Sequence, residues 1–437
     1  MKKEQSEYTI PELSGELRSG PVWLKRQREN QREVFNSLPL PQRGLHLWRY
    51  TDPSRFVVER TAESVSTNGS FEAARAVAQR HLQEGNLTGL VTDSAGHDIA
   101  THGFEDARKR GVIACGLSEA VETHHALVEP YLYSLVNAQI GKFEAMNGAL
   151  WQNGIFIYVP DNVVIENPIH LLRQAGGAGS TSFPRLLVVV GENAEVTLID
   201  EYGGGPENDT GGFAYMNGAV EIIAGADSRT RYVFLQRLAS ATRFYQTHRA
   251  RIGRSAQMLT IPLAFGGTLS KQNFGVILDG RGAESRMYGL LFGSEYQHMD
   301  NHTLHHHASG QTRSNIDFKV VLRDHALSAY TGLIRIDHEA PGCEAYQENR
   351  NLLLTEGVKA ETIPELEILN EDVMCTHGAT VGPIDPLLIF YLNSRGIPKS
   401  EAVRMVVSGF VTSTLGQVPS NLKEQIASFV EKRLEDL

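Results

Sequence analysis

The sequence predicts a mainly β protein, a parallel β-helix core with helical segments at both ends. Three observations carry that expectation. Between residues 151 and 382, short apolar stretches alternate with small and polar residues, with no apolar periodicity of helix length. Corner motifs recur roughly every thirty residues through that stretch. Helical patterns with caps and stops are confined to the flanks.

The first zone, residues 1–150, reads as mostly helical. A charged segment from Pro21 to Phe35 carries a thin apolar stripe (Val22, Trp23, Val34, Phe35), and Pro39 and Pro41 end it. Ser70 is placed to cap a helix running to Gly85, and Ser118 another running towards Val136. Between them, residues 87–92 read as a short strand.

In the middle zone, residues 151–382, an apolar residue leads repeatedly into a Gly/Asp/Asn corner. Examples are Val159-Pro-Asp-Asn, Val190-Gly-Glu-Asn, Ile223-Ala-Gly-Ala-Asp, Ile252-Gly-Arg-Ser, Leu278-Asp-Gly-Arg, Leu322-Arg-Asp-His and Leu354-Thr-Glu-Gly. Strands bounded by such corners, without intervening helices, suit a solenoid in which no coil buries a core alone. A large sandwich answers the same spacing, because corners do not reveal strand direction.

The last zone, residues 383–437, returns to helices. Asp385 to Arg395 is apolar at Leu388, Ile389, Tyr391 and Leu392, and Gly396 and Pro398 stop it. Ser400 begins a second helix towards Leu415, with Ala402, Val403, Val406, Val407 and Phe410 on its apolar side. Pro419 introduces a third, amphipathic through Leu422, Ile426, Phe429, Val430 and Leu437. So much apolar surface requires cover, from the β body or from another chain.

Of the 437 residues, 41% are hydrophobic and 21% charged, ordinary for a soluble globular protein. The 41 Lys and Arg against 51 Asp and Glu give a net charge of −10, which argues against nonspecific nucleic-acid binding and docking on anionic membranes. The start, Met1-Lys-Lys-Glu-Gln-Ser-Glu, lacks an apolar core and does not read as a signal peptide. The longest aliphatic runs, such as Leu186–Val190, are too short to span a bilayer. Three cysteines, Cys115, Cys343 and Cys375, make no disulfide framework, so a reducing cytoplasm fits.

The sharpest local arrangement is Val373-Met-Cys375-Thr-His377-Gly-Ala-Thr. Residues two apart on a strand share a face, so Cys375 and His377 project together. A thiolate beside an imidazole suits zinc, iron or an iron–sulfur centre, yet two ligands are half a site. Another chain or an exogenous thiol must supply the rest. A small buried cysteine with a hydrogen-bonded histidine at a strand end answers the same pattern.

A histidine run follows as the second candidate: His298, His302, His305, His306 and His307, with Asp300 and Asp317 nearby. It suits a metal-binding jelly roll using His302 and His306, or a structural polar ladder. No G-x-x-x-x-G-K-[S/T], G-x-S-x-G or H-E-x-x-H occurs. Gly176-Gly-Ala-Gly179 opens no helix and reads as a loop. Glu365 and Glu367 share a strand face, but Pro364 interrupts it and nothing marks a glycosidase pair. Arg395 suits either a partner contact or a solvated helix end.

From Gln347 to Phe410 the chain resembles the C-terminal signature of the SufB/SufD family of iron–sulfur cluster assembly scaffolds. The motifs are Gln347-Glu-Asn-Arg-Asn, Pro364-Glu-Leu-Glu, Glu371-Asp-Val-Met-Cys-Thr-His-Gly-Ala-Thr, Phe390-Tyr-Leu-Asn-Ser-Arg-Gly and Gly409-Phe410. Upstream, Gln297-His-Met-Asp-Asn-His, Ser314-Asn-Ile-Asp-Phe-Lys319, Asn153-Gly-Ile-Phe, Asn167-Pro-Ile169 and Trp48-Arg-Tyr-Thr51 are similar to the family's other segments. SufB-like chains tend to carry His-Glu-Ala-Thr where this chain has His377-Gly-Ala-Thr, which favours the other branch. Ile363 before Pro364 and Glu371 depart from the usual pattern.

The resemblance implies a right-handed parallel β-helix flanked by helical domains, in a subunit with no turnover of its own. It implies pairing with SufB and with the ATPase SufC, which would supply the missing P-loop. His377 would lie at the SufB interface, facing SufB's cysteine, where a nascent iron–sulfur cluster is built transiently; Cys375 is a weaker ligand candidate. The region of Phe390, Tyr391, Arg395, Gly396 and Phe410 resembles the part that docks SufC. Within the same family, a SufB-like primary scaffold or a homodimer remains the alternative.

Overall fold

The computed structural model describes residues 8–10, 19–57, 69–95 and 98–434. The charged start and Leu437 lie outside these.

Three short strands come first: β1 (Gly89–Ser94), β2 (Asp98–His102) and β3 (Ile113–Gly116). The next six are β4 (Ile155–Val159), β5 (Ile169–Ala175), β6 (Thr181–Ser182), β7 (Arg185–Val190), β8 (Glu195–Gly204) and β9 (Ala214–Ala224). Then come β10 (Arg229–Leu238), β11 (Thr242–Ile252), β12 (Gln257–Ala264), β13 (Leu269–Leu278), β14 (Glu284–Gly293) and β15 (His298–His307). The last are β16 (Arg313–Leu322), β17 (Leu327–Ile336), β18 (Cys343–Leu353), β19 (Lys359–Ile368) and β20 (Val373–Pro383).

From β7 on, successive long strands fall alternately in two sheets. One runs β2-β1-β5-β8-β10-β12-β14-β16-β18-β20 and the other β19-β17-β15-β13-β11-β9-β7-β4-β3. Stacked neighbours are parallel, as in Gln347↔His377 of β18 and β20. Only β1/β2 and β3/β4, at the N-terminal end, pair antiparallel among the described strands. Parallel stacking of alternate strands is a solenoid of about eight turns, and it excludes the sandwich.

The corners explain the recurring Asn, Asp and Gly. Asn162, Asn193, Asp227, Ser255 and Gln311 all have φ between 53° and 61°, and Gly282 and Gly342 occupy equivalent corners at 73° and 68°. Asn, Asp and Gly tolerate this left-handed conformation best. It lets each corner N–H reach the next coil: Asn193 donates to Ala226 O, Asp227 to Arg254 O and Gln311 to Pro341 O, each at 2.8 Å.

Inside the coils, alternate residues form one apolar column, including Leu171, Val188, Leu198, Phe234, Phe274 and Phe318. Helices cover the outer faces. α1 (Val22–Ser37) is followed by α2 (Gly69–Gln83), α3 (Glu105–Lys109), α4 (Leu117–Thr123), α5 (His125–Val128) and α6 (Lys142–Leu150). Near α6, Trp48, Phe56 and Phe143 gather around Tyr245 of β11. At the C-terminus α7 (Pro386–Ser394), α8 (Lys399–Leu415) and α9 (Ser420–Lys432) follow β20. Val407, Val411, Leu422 and Ile426 of α8 and α9 pack on Val233, Leu235, Ile261 and Leu263 of the first sheet.

Three local expectations need correction. Ser70 lies in the first turn of α2, not ahead of it. The helix expected from Ser118 to Val136 breaks after α4 and again after α5. The reason is that the following backbone turns inward to serve Glu221, whose carboxylate accepts from Tyr133, Leu135 and Val136 N–H while also pairing with Arg185 at 2.6 Å. Pro364 does not interrupt its strand: β19 is a sheet edge, where a residue without an N–H is tolerated.

Candidate functional site

The two ends of the solenoid differ. At the N-terminal end the sheets finish in β2 and β3, of 5 and 4 residues, both antiparallel to their neighbours. At the other end they finish in β19 and β20, of 10 and 11 residues, with no strand beyond them among the described residues. Such an edge presents a row of unpaired N–H and C=O groups.

Register places the candidate ligands on this edge. Ala345↔Cys375, Gln347↔His377 and Asn349↔Ala379 are matched positions of β18 and β20. In β18 these positions face the interior, and Gln347 and Asn349 are fully buried. In β20 the same row has no coil stacked over it among the described residues, and His377 is exposed and Cys375 half-buried. Cys375 packs with Val373 against Ile334, Ile336, Cys343 and Ala345. That burial pushes its thiol up to about 11, so it stays protonated near neutral pH.

Gln347, one coil in from His377, donates from Nε2 to Gly332 O at 3.1 Å. Gly332 permits this crossing, since a Cβ there would lie 2.4 Å from that nitrogen. Around the bare row, Leu366, Ile368, Leu369, Met374 and Val381 are exposed apolar side chains, Met374 at 67%.

The histidine run divides as strand alternation requires. His305 and His307 point into the solenoid, bonded to Ser285 (3.0 Å) and to Thr312 and Ser314 (2.7 and 2.8 Å). Burial pushes them down to about 3 and about 4. His298, Asp300 and His302 face outward under the N-terminal segment. There Lys271 Nζ sits 2.8 Å from both Asp300 Oδ2 and His302 Nε2 and 2.6 Å from Leu47 O. Thr51 donates to Asp300 at 2.5 Å.

The ammonium of Lys271 thus fills the position that a metal on His302 would need. His306 pairs instead with Asp337 at 2.7 Å, which separates it from His302. Among the described residues, no group of three or more His, Cys, Asp or Glu is placed to hold a metal ion. The parallel coils exclude the jelly-roll fold. The role of Lys271 was not read from the sequence, although a lysine on an otherwise uncharged strand was its signal.

Two residues after β20, α7 begins with Asp385 capping Leu387 N–H at 2.9 Å. None of its side chains is buried, and Leu387 and Phe390 are 74% and 70% exposed. The Arg395 guanidinium lies 5.1 Å from the Tyr391 ring centre, and Gly396 (φ 85°) turns the chain into α8. Phe410 sits apart from these. It is half-buried, with Lys319 of β16 donating to its carbonyl at 2.6 Å, and it packs towards the β body.

The chain is thus a parallel β-helix with one blunted and one open end, and with a bare apolar helix beside the open one. Residues 172–410 match the family model described as SUF system FeS cluster assembly, SufBD core domain, and residues 90–171 match the SufBD protein N-terminal region. The chain belongs to the SufB/SufD family of iron–sulfur cluster assembly proteins. It is 26% identical over 426 residues to the iron–sulfur cluster assembly protein SufD of Bacillus subtilis (strain 168), covering 95% of each chain. SufBD family proteins of Staphylococcus epidermidis and Staphylococcus saprophyticus are also 26% identical, over 98% of this chain and 93% of theirs.

Proposed function

We propose that this chain is a SufD-type scaffold subunit that pairs with SufB through its open coil and with the ATPase SufC through its C-terminal helices. The observation that carries the reading is the bare inner row of β20, which holds His377 on an unpaired strand edge. A second chain adding its own edge there would cover the exposed apolar side chains and bring its ligands to His377. A nascent iron–sulfur cluster is the cargo of that junction, held between two chains and passed on. His377 is the ligand assigned here. Cys375, protonated and half-buried, would contribute only as a thiolate, its proton released to solvent on binding iron.

On this reading residues 1–150 brace the outer faces, 151–382 form the scaffold, and 383–437 form the docking domain. Phe390, Tyr391, Arg395 and Gly396 meet SufC, and Phe410 anchors their helix pair to the β body. Turnover belongs to SufC, and the chain itself is not an enzyme. Its three free cysteines fit the reducing cytoplasm.

Anaerobic co-purification with SufB and SufC tests this, with bound iron and sulfide assayed for wild type and His377→Ala. Complex in both with cluster lost only from the variant is the expected result. Unchanged cluster content reduces the chain to a tether between SufB and SufC. A cluster retained by the chain alone favours the primary-scaffold reading instead.

A further inference from the structure

We infer that the open end selects its partner by charge, taking a chain whose terminal coil is basic and disfavouring a second copy of this chain. The inference rests on the docking reading and adds the chemistry of the occupant. Residues 354–385 hold seven carboxylates and a single lysine, a net −6 of the chain's −10. Two of the seven have a cation nearby: Lys359 lies 2.9 Å from Glu361 and Arg335 3.8 Å from Glu367, while the His46 ring lies 3.2 Å from Glu365. Glu371 and Asp372, at the corner leading into β20, are exposed, with no intrachain cation among the described residues.

The exposed apolar side chains of the edge attract any second edge, this chain's own included. Charge supplies the discrimination. In a two-fold pairing the same patch meets itself, so one acidic coil would face another. Paired strands lie about 5 Å apart, inside the screening length of about 8 Å at physiological salt, so that repulsion is felt. A basic coil in the same place turns it into attraction and speeds encounter.

The test is the double variant Glu371→Lys/Asp372→Lys, both sites being exposed. Self-association of the chain alone and affinity for SufB are measured at low and high salt by sedimentation and titration, with a thermal melt to verify the fold. The variant is expected to self-associate about tenfold more tightly at low salt and to bind SufB about tenfold more weakly, with both differences shrinking at high salt. Self-association and SufB affinity that match wild type at every salt concentration overturn the inference while leaving the docking reading intact. If wild type fails to bind SufB at all, the docking reading has failed, and the self-association arm still decides the charge inference.

Discussion

Gln347 and His377 occupy the same inward position on adjacent coils, yet one is fully buried and the other exposed. Gln347 crosses the solenoid to the Gly332 carbonyl and forms the floor above which His377 stands. Filling that floor is expected to be costly. Gly332→Ala would drive a Cβ into the Gln347 amide, destabilising the protein by about 1–3 kcal/mol. His377→Ala should change stability by less than about 0.5 kcal/mol, as at other exposed sites. Urea unfolding of the two variants separates the roles, and an equally damaging His377→Ala would mean that His377 is packed.

Lys271 neutralises Asp300 beneath the N-terminal segment. Burial alone would raise the Asp300 carboxyl, but Lys271 and His302 hold it well below the usual range. Lys271→Met leaves that carboxylate buried without its cation and should cost about 3–5 kcal/mol. Limited proteolysis should then cut first near Trp48. A Tm within a degree of wild type would refute the assignment.

Four histidines, His248, His305 and His307 buried and His298 half-buried, make stability depend on pH with a definite sign. Burial pushes His248 and His305 down to about 3, and His298 and His307 to about 4. Unfolded, they take up protons near pH 6.5, so below that pH the unfolded state binds more protons than the folded one. Their contribution is complete above about pH 6.5 and is lost as pH falls towards about 4. The Tm should be flat from pH 7 to 8 and drop from 6.5 to 5. A Tm that holds steady to pH 5 would contradict the buried neutral state.

The Cys375 thiol, pushed up to about 11 by burial, should be a slow nucleophile. Its alkylation by iodoacetamide should accelerate about tenfold per pH unit well beyond pH 8.5. A plateau near pH 8 would mean that the sulfur is more open than its packing against Cys343 and Ala345 implies.

Phe390→Ala with Tyr391→Ala removes exposed rings, so thermal stability should stay within about 0.5 kcal/mol of wild type. Co-precipitation with SufC should nevertheless fall at least tenfold. Binding unchanged by the double substitution would move the SufC contact away from α7.

Much of the fold was legible because the corners obey a backbone constraint. Asn193 and Asp227 stand where φ must be positive, and few residue types accept that. Gln311 occupies the same kind of corner and was missed, because glutamine carries no turn signal of its own. Strand alternation put Cys375 and His377 on one face from spacing alone. Their exposure was not legible, because it depends on β20 being the last coil, which no local pattern encodes. Pro364 misled for the same reason: a proline rules out an interior strand but not an edge. The break after Ser118 came from Glu221, about a hundred residues away in sequence, beyond the reach of any window along the chain.

The difference between the two ends sets a valence. With short antiparallel strands at one end, the described residues offer one long strand edge where the sheets can be lengthened. A molecule with two such places would string copies into fibrils at the concentrations a cell maintains. One with a single place is used up after one encounter, so edge-to-edge growth of the sheets would stop at a pair.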